Sequence, residues 1–238
     1  MSTFRIATVI AVGSLVCLAV QASQAAPITI DNHSFENATG YWAESTAPSS
    51  WLRQYQNISG KVADQSYAAD ITNSTAENKD GNNYLNLFIY AGATPSSNTV
   101  TAWVESVSLG TYQANTVYTL TVAQTANSNV THRQGIIALV AGGNIAASTG
   151  TPFNLLNTTG LASGIIFQDK QVVLDTSVTP AVVGQSISVR LLHEAGPGSQ
   201  GYRHAYFDNV RLDASPIPEP ATLGLMAIGG LMMLPRRR

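Results

Sequence analysis

The 238-residue chain holds a single cysteine, Cys17. That residue falls in an apolar N-terminal stretch, so the rest of the chain has no thiol for a disulfide, a thiolate metal site or a cysteine nucleophile. Charge is also sparse: Asp, Glu, Lys and Arg make up 11% of the residues. Between Pro27 and Ser215, eight Lys and Arg stand against thirteen Asp and Glu, a net −5 with no basic cluster. Without such a cluster nothing neutralises a run of phosphates, which argues against nucleic acid as a partner. HExxH and GxSxG motifs and internal repeats are missing, and the middle region has hardly any helical hydrophobic period. Its roughly 190 residues still suffice to bury one substantial core.

Both ends have the character of addresses. Residues 1–25 carry one early arginine, an apolar run from Ile6 to Val20 and small residues Ser23 and Ala25, the layout of a cleaved signal peptide. The apolar run is shorter than the roughly 20 residues needed to span a bilayer. Residues 216–238 hold Pro218-Glu219-Pro220, an uncharged stretch at 221–234, and Arg236, Arg237 and Arg238. A helix over 221–234 would be about 21 Å long, too short for the roughly 30 Å hydrocarbon layer but adequate as a transient stop with its arginines held in the cytoplasm. The three parts in this order resemble the PEP-CTERM sorting signal of Gram-negative bacteria. That resemblance implies recognition by an exosortase transpeptidase, transient passage through the inner membrane, and a final place at the cell surface or in an extracellular matrix tied to exopolysaccharide and biofilm.

Between these ends, residues 27–215 show short β-branched and aromatic runs broken by Gly, Asn, Pro and Ser. Strands are expected within 28–36, 83–91, 99–109, 116–125, 134–142, 164–175, 186–194 and 203–213. In "TVYTLTV", Tyr118, Leu120 and Val122 share one face, with Thr119 and Thr121 on the other. The stretches 45–50 and 72–83 read as loops. The expected fold is all-β: an antiparallel β-sandwich of jelly-roll type, flanked by the signal peptide and the apolar sorting helix.

The stretches "IDNHSFENATGYW", "VSLGTYQANTVYTLTV" and "YFDNVRL" together resemble the galactose-binding-like jelly rolls, in particular the carbohydrate-binding modules of families 4, 9 and 22. In calcium-bearing members of that group a carboxylate closes the "SFE" stretch and an aspartate lies in the last strand. The resemblance therefore implies a structural calcium site at Glu36 and Asp208, with backbone carbonyls and water completing its shell. It also implies sugar contact through aromatic faces. Trp42, Trp51 and Tyr55 lie in a polar stretch with Arg53 beside them, and form the candidate platform for polysaccharide. Trp103, in an apolar run, is expected in the core.

On this reading the protein is a non-catalytic, exported matrix component that contacts exopolysaccharide, or one with a purely structural role. Two enzymatic readings stand beside it. A polysaccharide lyase would use the Arg190, His193, Tyr202, Arg203, His204, Tyr206 and Asp208 stretches, if their strands are neighbours. The stretches "PITIDNHSFE" and "DGNNYLNL" are also similar to the calcium-dependent Stig cyclases, which build indole alkaloids on this scaffold. That similarity points to Asp208 and Tyr84 as an acid and an aromatic wall.

Overall fold

A computed structural model describes residues 24–36, 40–41, 50–56, 67–72, 76–90, 100–125, 134–149, 165–195 and 202–218. The leader, the tail beyond Pro218 and Trp42 lie outside these residues. The strands run β1 (Ala26–Ile28), β2 (Gly40–Tyr41), β3 (Trp51–Gln56), β4 (Tyr67–Thr72), β5 (Ala76–Glu77), β6 (Tyr84–Tyr90) and β7 (Val100–Ser106). They continue with β8 (Thr116–Thr125), β9 (Gln134–Ala141), β10 (Asn144–Ser148), β11 (Ile165–Ile166), β12 (Gln168–Asp175), β13 (Ile187–Ala195) and β14 (Tyr202–Pro216). Among the described residues the one helical element is a 3₁₀ turn at Pro180–Val182, and no helix is long and apolar enough to cross a membrane.

Two antiparallel sheets stack face to face. The larger has strand order β12-β8-β14-β6-β4-β2, with β1 also pairing to β14; the smaller has order β10-β9-β13-β7-β3. The period-two alternation expected for half-buried strands is what builds the layer between them. Leu85 and Leu87 of β6, Leu120 and Val122 of β8, and Ala205 and Phe207 of β14 point inward. They meet Val104 of β7, Ile137 and Leu139 of β9, and Val189 and Leu191 of β13 in one buried cluster. The burial of these side chains, not any cross-link, holds the sandwich together.

The first and last strands pair, with Ile28 opposite Leu212. β14, however, is an interior strand and not an edge. Over Tyr202–Phe207 it pairs with β6, from Tyr206 onward with β8 across an irregularity between Asp208 and Arg211, and from Leu212 with β1. That irregularity is a β-bulge built on Asn209, whose φ is 46°. Phe207 and Val210 both reach the core across it, so one extra residue has been inserted between them. The Val210 amide donates to the carbonyl of His33 at 3.0 Å, which ties the bulge to the turn that follows β1.

A third element is a separate two-stranded sheet. β5 and β11 pair in parallel, Ala76 with Ile165 and Glu77 with Ile166. The Phe167 amide then donates to the Glu77 carbonyl at 3.1 Å. β5 lies within the stretch 72–83, where the sequence suggested only loop, and the pairing carries Phe167 onto the outer face of the larger sheet.

On the outer face of the smaller sheet, Arg190 donates to Glu105 Oε2 through Nε at 2.8 Å and Nη2 at 2.6 Å. Its guanidinium also lies 5.3 Å from the Trp103 ring. Trp103 thus covers a charged rung on the outer face rather than entering the core, because it alternates with the inward Ala102 and Val104.

Candidate functional site

Strand alternation selects the side chains of the larger sheet's outer face. On β6, Tyr84 and Asn86 point away from the core because Leu85 and Leu87 point into it. On β14, His204, Tyr206 and Asp208 do the same opposite Ala205 and Phe207. Register sets Tyr206 opposite Asn86 on β6, and Asp208 opposite Ala123 on β8. Tyr84, Ala123, Phe167 and Tyr206 gather there as a second buried apolar cluster. Tyr84 is edge-on to both Phe167 and Tyr206, each with ring centroids 5.4 Å away. His204 stacks on Tyr206 at 5.8 Å, and its Nδ1 lies 3.0 Å from Asn86 Oδ1. Since that oxygen can only accept, Nδ1 carries the proton. Three aromatic rings, an imidazole and an amide thus share one patch beneath the β5–β11 strap.

A carboxylate cradle adjoins this patch. Glu36, at the end of the turn after β1, accepts from the backbone amides of Asn82 at 2.8 Å and Asn83 at 2.7 Å, both through Oε1. Asp208 accepts from the Asp80 amide through Oδ2 and from the Asn209 amide through Oδ1, each at 2.7 Å. The two proposed metal residues therefore grip one loop, residues 80–83, from either side. Gly81 is needed at its tip: φ is +79°, and a Cβ would stand 2.5 Å from Glu36 Oε1.

Negative charge accumulates here. Asp208 is fully buried. Burial pushes its carboxyl up to about 7, and the nearby Asp80 and Glu36 charges push the same way against two lowering amide hydrogen bonds. His33 Nε2 lies 3.5 Å from Asp80 Oδ2, with both side chains about half exposed. Among the described residues no three His, Cys, Asp or Glu side chains converge on a metal-sized position. A cation would rest on Glu36 and Asp208 together with backbone and amide oxygens. That donor set is all oxygen and suits a hard ion such as Ca²⁺, and the crowded charge around a buried carboxylate is what such an ion would relieve.

The sugar platform fares differently. Trp51 is fully buried and packs on Phe35 with ring centroids 5.4 Å apart, so it belongs to the core and presents no face to a sugar. Arg53 and Tyr55 continue β3 opposite Val104 and Ala102; their side chains, like Trp42, lie outside the described residues. The lyase cluster is also undone. "VRLLHE" and "GYRHAYFD" form β13 and β14, which sit in different sheets. Arg190 is spent on Glu105, His193 is buried in the interior, and His204 faces outward from the other sheet.

A family model described as HpiC1-like, HpiC1 cyclase, matches residues 26–213, from the first strand through nearly all of the last. The chain belongs to the HpiC1-like family. The expectation of a non-catalytic protein is thereby corrected, because that family is defined on an enzyme. Solved structures agree in fold. A cyclase from Fischerella sp. TAU shares 22% identity, with a TM-score of 0.57, 82% of this chain covered and 100% of that one. An apo cyclase from Fischerella sp. shares 25% identity over 84% of this chain and 100% of that one, with a TM-score of 0.56. The Stig cyclase Fisc from Fischerella sp. TAU, solved with (3Z)-3-(1-methyl-2-pyrrolidinylidene)-3H-indole, shares 24% identity with a TM-score of 0.56; the overlap covers 82% of this chain and 100% of Fisc. No curated protein matches the chain.

Phe167 and Asn86 were missed in the sequence. Asn86 had a readable sign, since in "YLNLF" it stands between two leucines and must therefore face away from them. Phe167 had none, because its place depends on the strap.

Proposed function

We propose that this HpiC1-like protein is an exported, calcium-stabilised cyclase that closes a ring on a small indole-type substrate held against the outer face of the larger sheet. The observation that carries this reading is the aromatic group Tyr84, Phe167 and Tyr206 beside the carboxylate cradle, inside the span matched by the family. A related Fischerella cyclase binds 4-(1H-indol-3-yl)butan-2-one, a flat apolar molecule of the kind edge-on and stacked aromatic rings accommodate.

Asp208 serves the scaffold in this account, not the proton transfer. It is sealed from solvent, and both its oxygens already accept backbone amides. When bound by Glu36 and Asp208, calcium supplies charge neutralisation and fastens the turn after β1 to the loop before β6. Proton transfer belongs to His204, which Asn86 and Tyr206 hold in place at the edge of the aromatic group. The reaction is an isomerisation. A proton is delivered to an alkene carbon of the substrate, the electron-rich ring attacks the resulting cation to form the new C–C bond, and a proton leaves the ring to restore its aromaticity. The leader and the Pro218–Pro220 tail support export and exosortase sorting of this enzyme.

Calorimetric titration with 4-(1H-indol-3-yl)butan-2-one tests the site. Saturable binding is expected for the calcium-loaded protein, weakened about tenfold by Tyr84→Ala or Tyr206→Ala and unchanged by Arg190→Ala on the far sheet. Binding insensitive to Tyr84 and Tyr206 would remove the substrate from this face.

A further inference from the structure

The aromatic group on the outer face is closed as it stands. Tyr84 is 1% exposed, Phe167 2% and Tyr206 7%, so a substrate ring reaches the two tyrosines only if something moves. The cover is Phe167, whose ring lies edge-on to Tyr84 at 5.4 Å, and the backbone that carries it is slight. β11 and β5 pair in parallel at two positions, Ala76 with Ile165 and Glu77 with Ile166. Among the described residues no third strand continues this pair into either large sheet. The Phe167 amide adds one hydrogen bond, to the Glu77 carbonyl at 3.1 Å. Two paired strands on their own are marginally stable in water, and elements with few backbone bonds open at a fraction of the free energy of global unfolding.

The two strands are not held equally. β5 runs within three residues into the loop that the cradle grips, where the Asp80 amide donates to Asp208 at 2.7 Å and the Asn82 and Asn83 amides donate to Glu36 at 2.8 and 2.7 Å. Those carboxylates belong to the last strand and to the turn after β1, so β5 is anchored to the body of the sandwich. β11 leads instead through Phe167 into β12, which begins at Gln168 opposite Gln124 and is an edge strand of the larger sheet. β5 is therefore the fixed side of the pair, and β11 is the side that can part, with its hinge at Phe167 and Gln168.

We propose that β11 and Phe167 are a lid over the substrate face. The β5–β11 pairing parts, Phe167 leaves Tyr84, and a flat apolar ring enters between them; Phe167 then closes on that ring in place of Tyr84. This inference rests on the cyclase reading of the aromatic face and adds how that face is reached and shut. Shutting it matters to the chemistry proposed there, because water left beside the substrate cation would capture it before the ring closes.

A reversible lock tests the lid. The chain's one thiol is Cys17, so in a Cys17→Ser background the substitutions Ala76→Cys and Ile165→Cys leave only the two introduced thiols to pair. They stand opposite each other, and neighbouring strands about 4.8 Å apart fall within the span a disulfide bridges. The reduced, calcium-loaded variant should bind 4-(1H-indol-3-yl)butan-2-one as wild type does in calorimetric titration. Oxidation should weaken that binding at least about tenfold, and reductant should restore it. Equal binding by the oxidised and reduced forms would overturn the lid and leave the substrate face standing, whereas no binding even by wild type would remove both. Amide exchange in the wild-type protein is the second measurement. The Phe167 amide should exchange at least about tenfold faster than amides at the centre of β8, and should slow when the indole is bound. Exchange as slow as that of β8 would overturn the lid whether or not the engineered disulfide closes.

Discussion

Asp208 is the residue on which the cradle turns. Folding raises its carboxyl from 3.8 to about 7, chiefly through burial, so the folded metal-free chain favours the protonated acid. That contribution is complete below about pH 4 and is lost as pH rises through about 7; over this window the metal-free protein should lose on the order of a few kcal/mol. Calcium bound as proposed would reverse the sense, because it takes the ionised carboxylate. Melting curves across this pH range in chelator and in calcium should therefore diverge, with the decline confined to the chelator series and abolished by Asp208→Asn. Trp51 makes the opposite kind of claim. As a core residue, its replacement by alanine should cost about 3–5 kcal/mol in urea unfolding, whereas a solvent-facing sugar platform would lose almost nothing.

At the level of elements, legibility followed periodicity. β6, β7, β8, β9, β12, β13 and β14 were readable because each is a run rich in β-branched, aromatic or other apolar residues bounded by Gly, Asn, Pro or Ser, with period-two alternation clearest in β8. The run "ITIDNHSFE" misled. Its strand stops at Ile28, and Asn32 and Phe35 then adopt positive φ in a turn that takes Phe35 onto Trp51. β3 was hidden by the polar residues around Trp51, and β5 and β11 are two-residue pieces whose pairing spans nearly ninety residues of sequence, which no local pattern records. Of the candidate site, Glu36 and Asp208 were found by resemblance. Their common grip on residues 80–83 required the fold, because only the pairing of strands brings the turn after β1 and the loop before β6 to the last strand. The strap is testable as an element: Phe167→Ala should cost about 3 kcal/mol by removing the cover of Tyr84, and should weaken binding of 4-(1H-indol-3-yl)butan-2-one while leaving the pH behaviour of Asp208 in place.

For the whole molecule, a sandwich without cross-links would gain from the proposed cation a fastening of its first turn to its central strand. Calcium at a hundredfold excess over its dissociation constant contributes about 2.7 kcal/mol, which for a domain of this size raises the melting temperature by roughly 5–10 °C. Glu36→Gln should remove most of that rise. The sugar-binding expectation yields to the family assignment because Trp51 is interior and the exposed chemistry gathers on the other sheet. The most direct test is to incubate the calcium-loaded protein with an indole bearing an unsaturated side chain and follow the mixture by chromatography with mass detection. The account predicts a cyclised product of unchanged mass, formed with wild-type protein, abolished by His204→Ala and lost in chelator. An untouched substrate with folded, calcium-loaded protein that binds the indole, or turnover undiminished by His204→Ala, would contradict it.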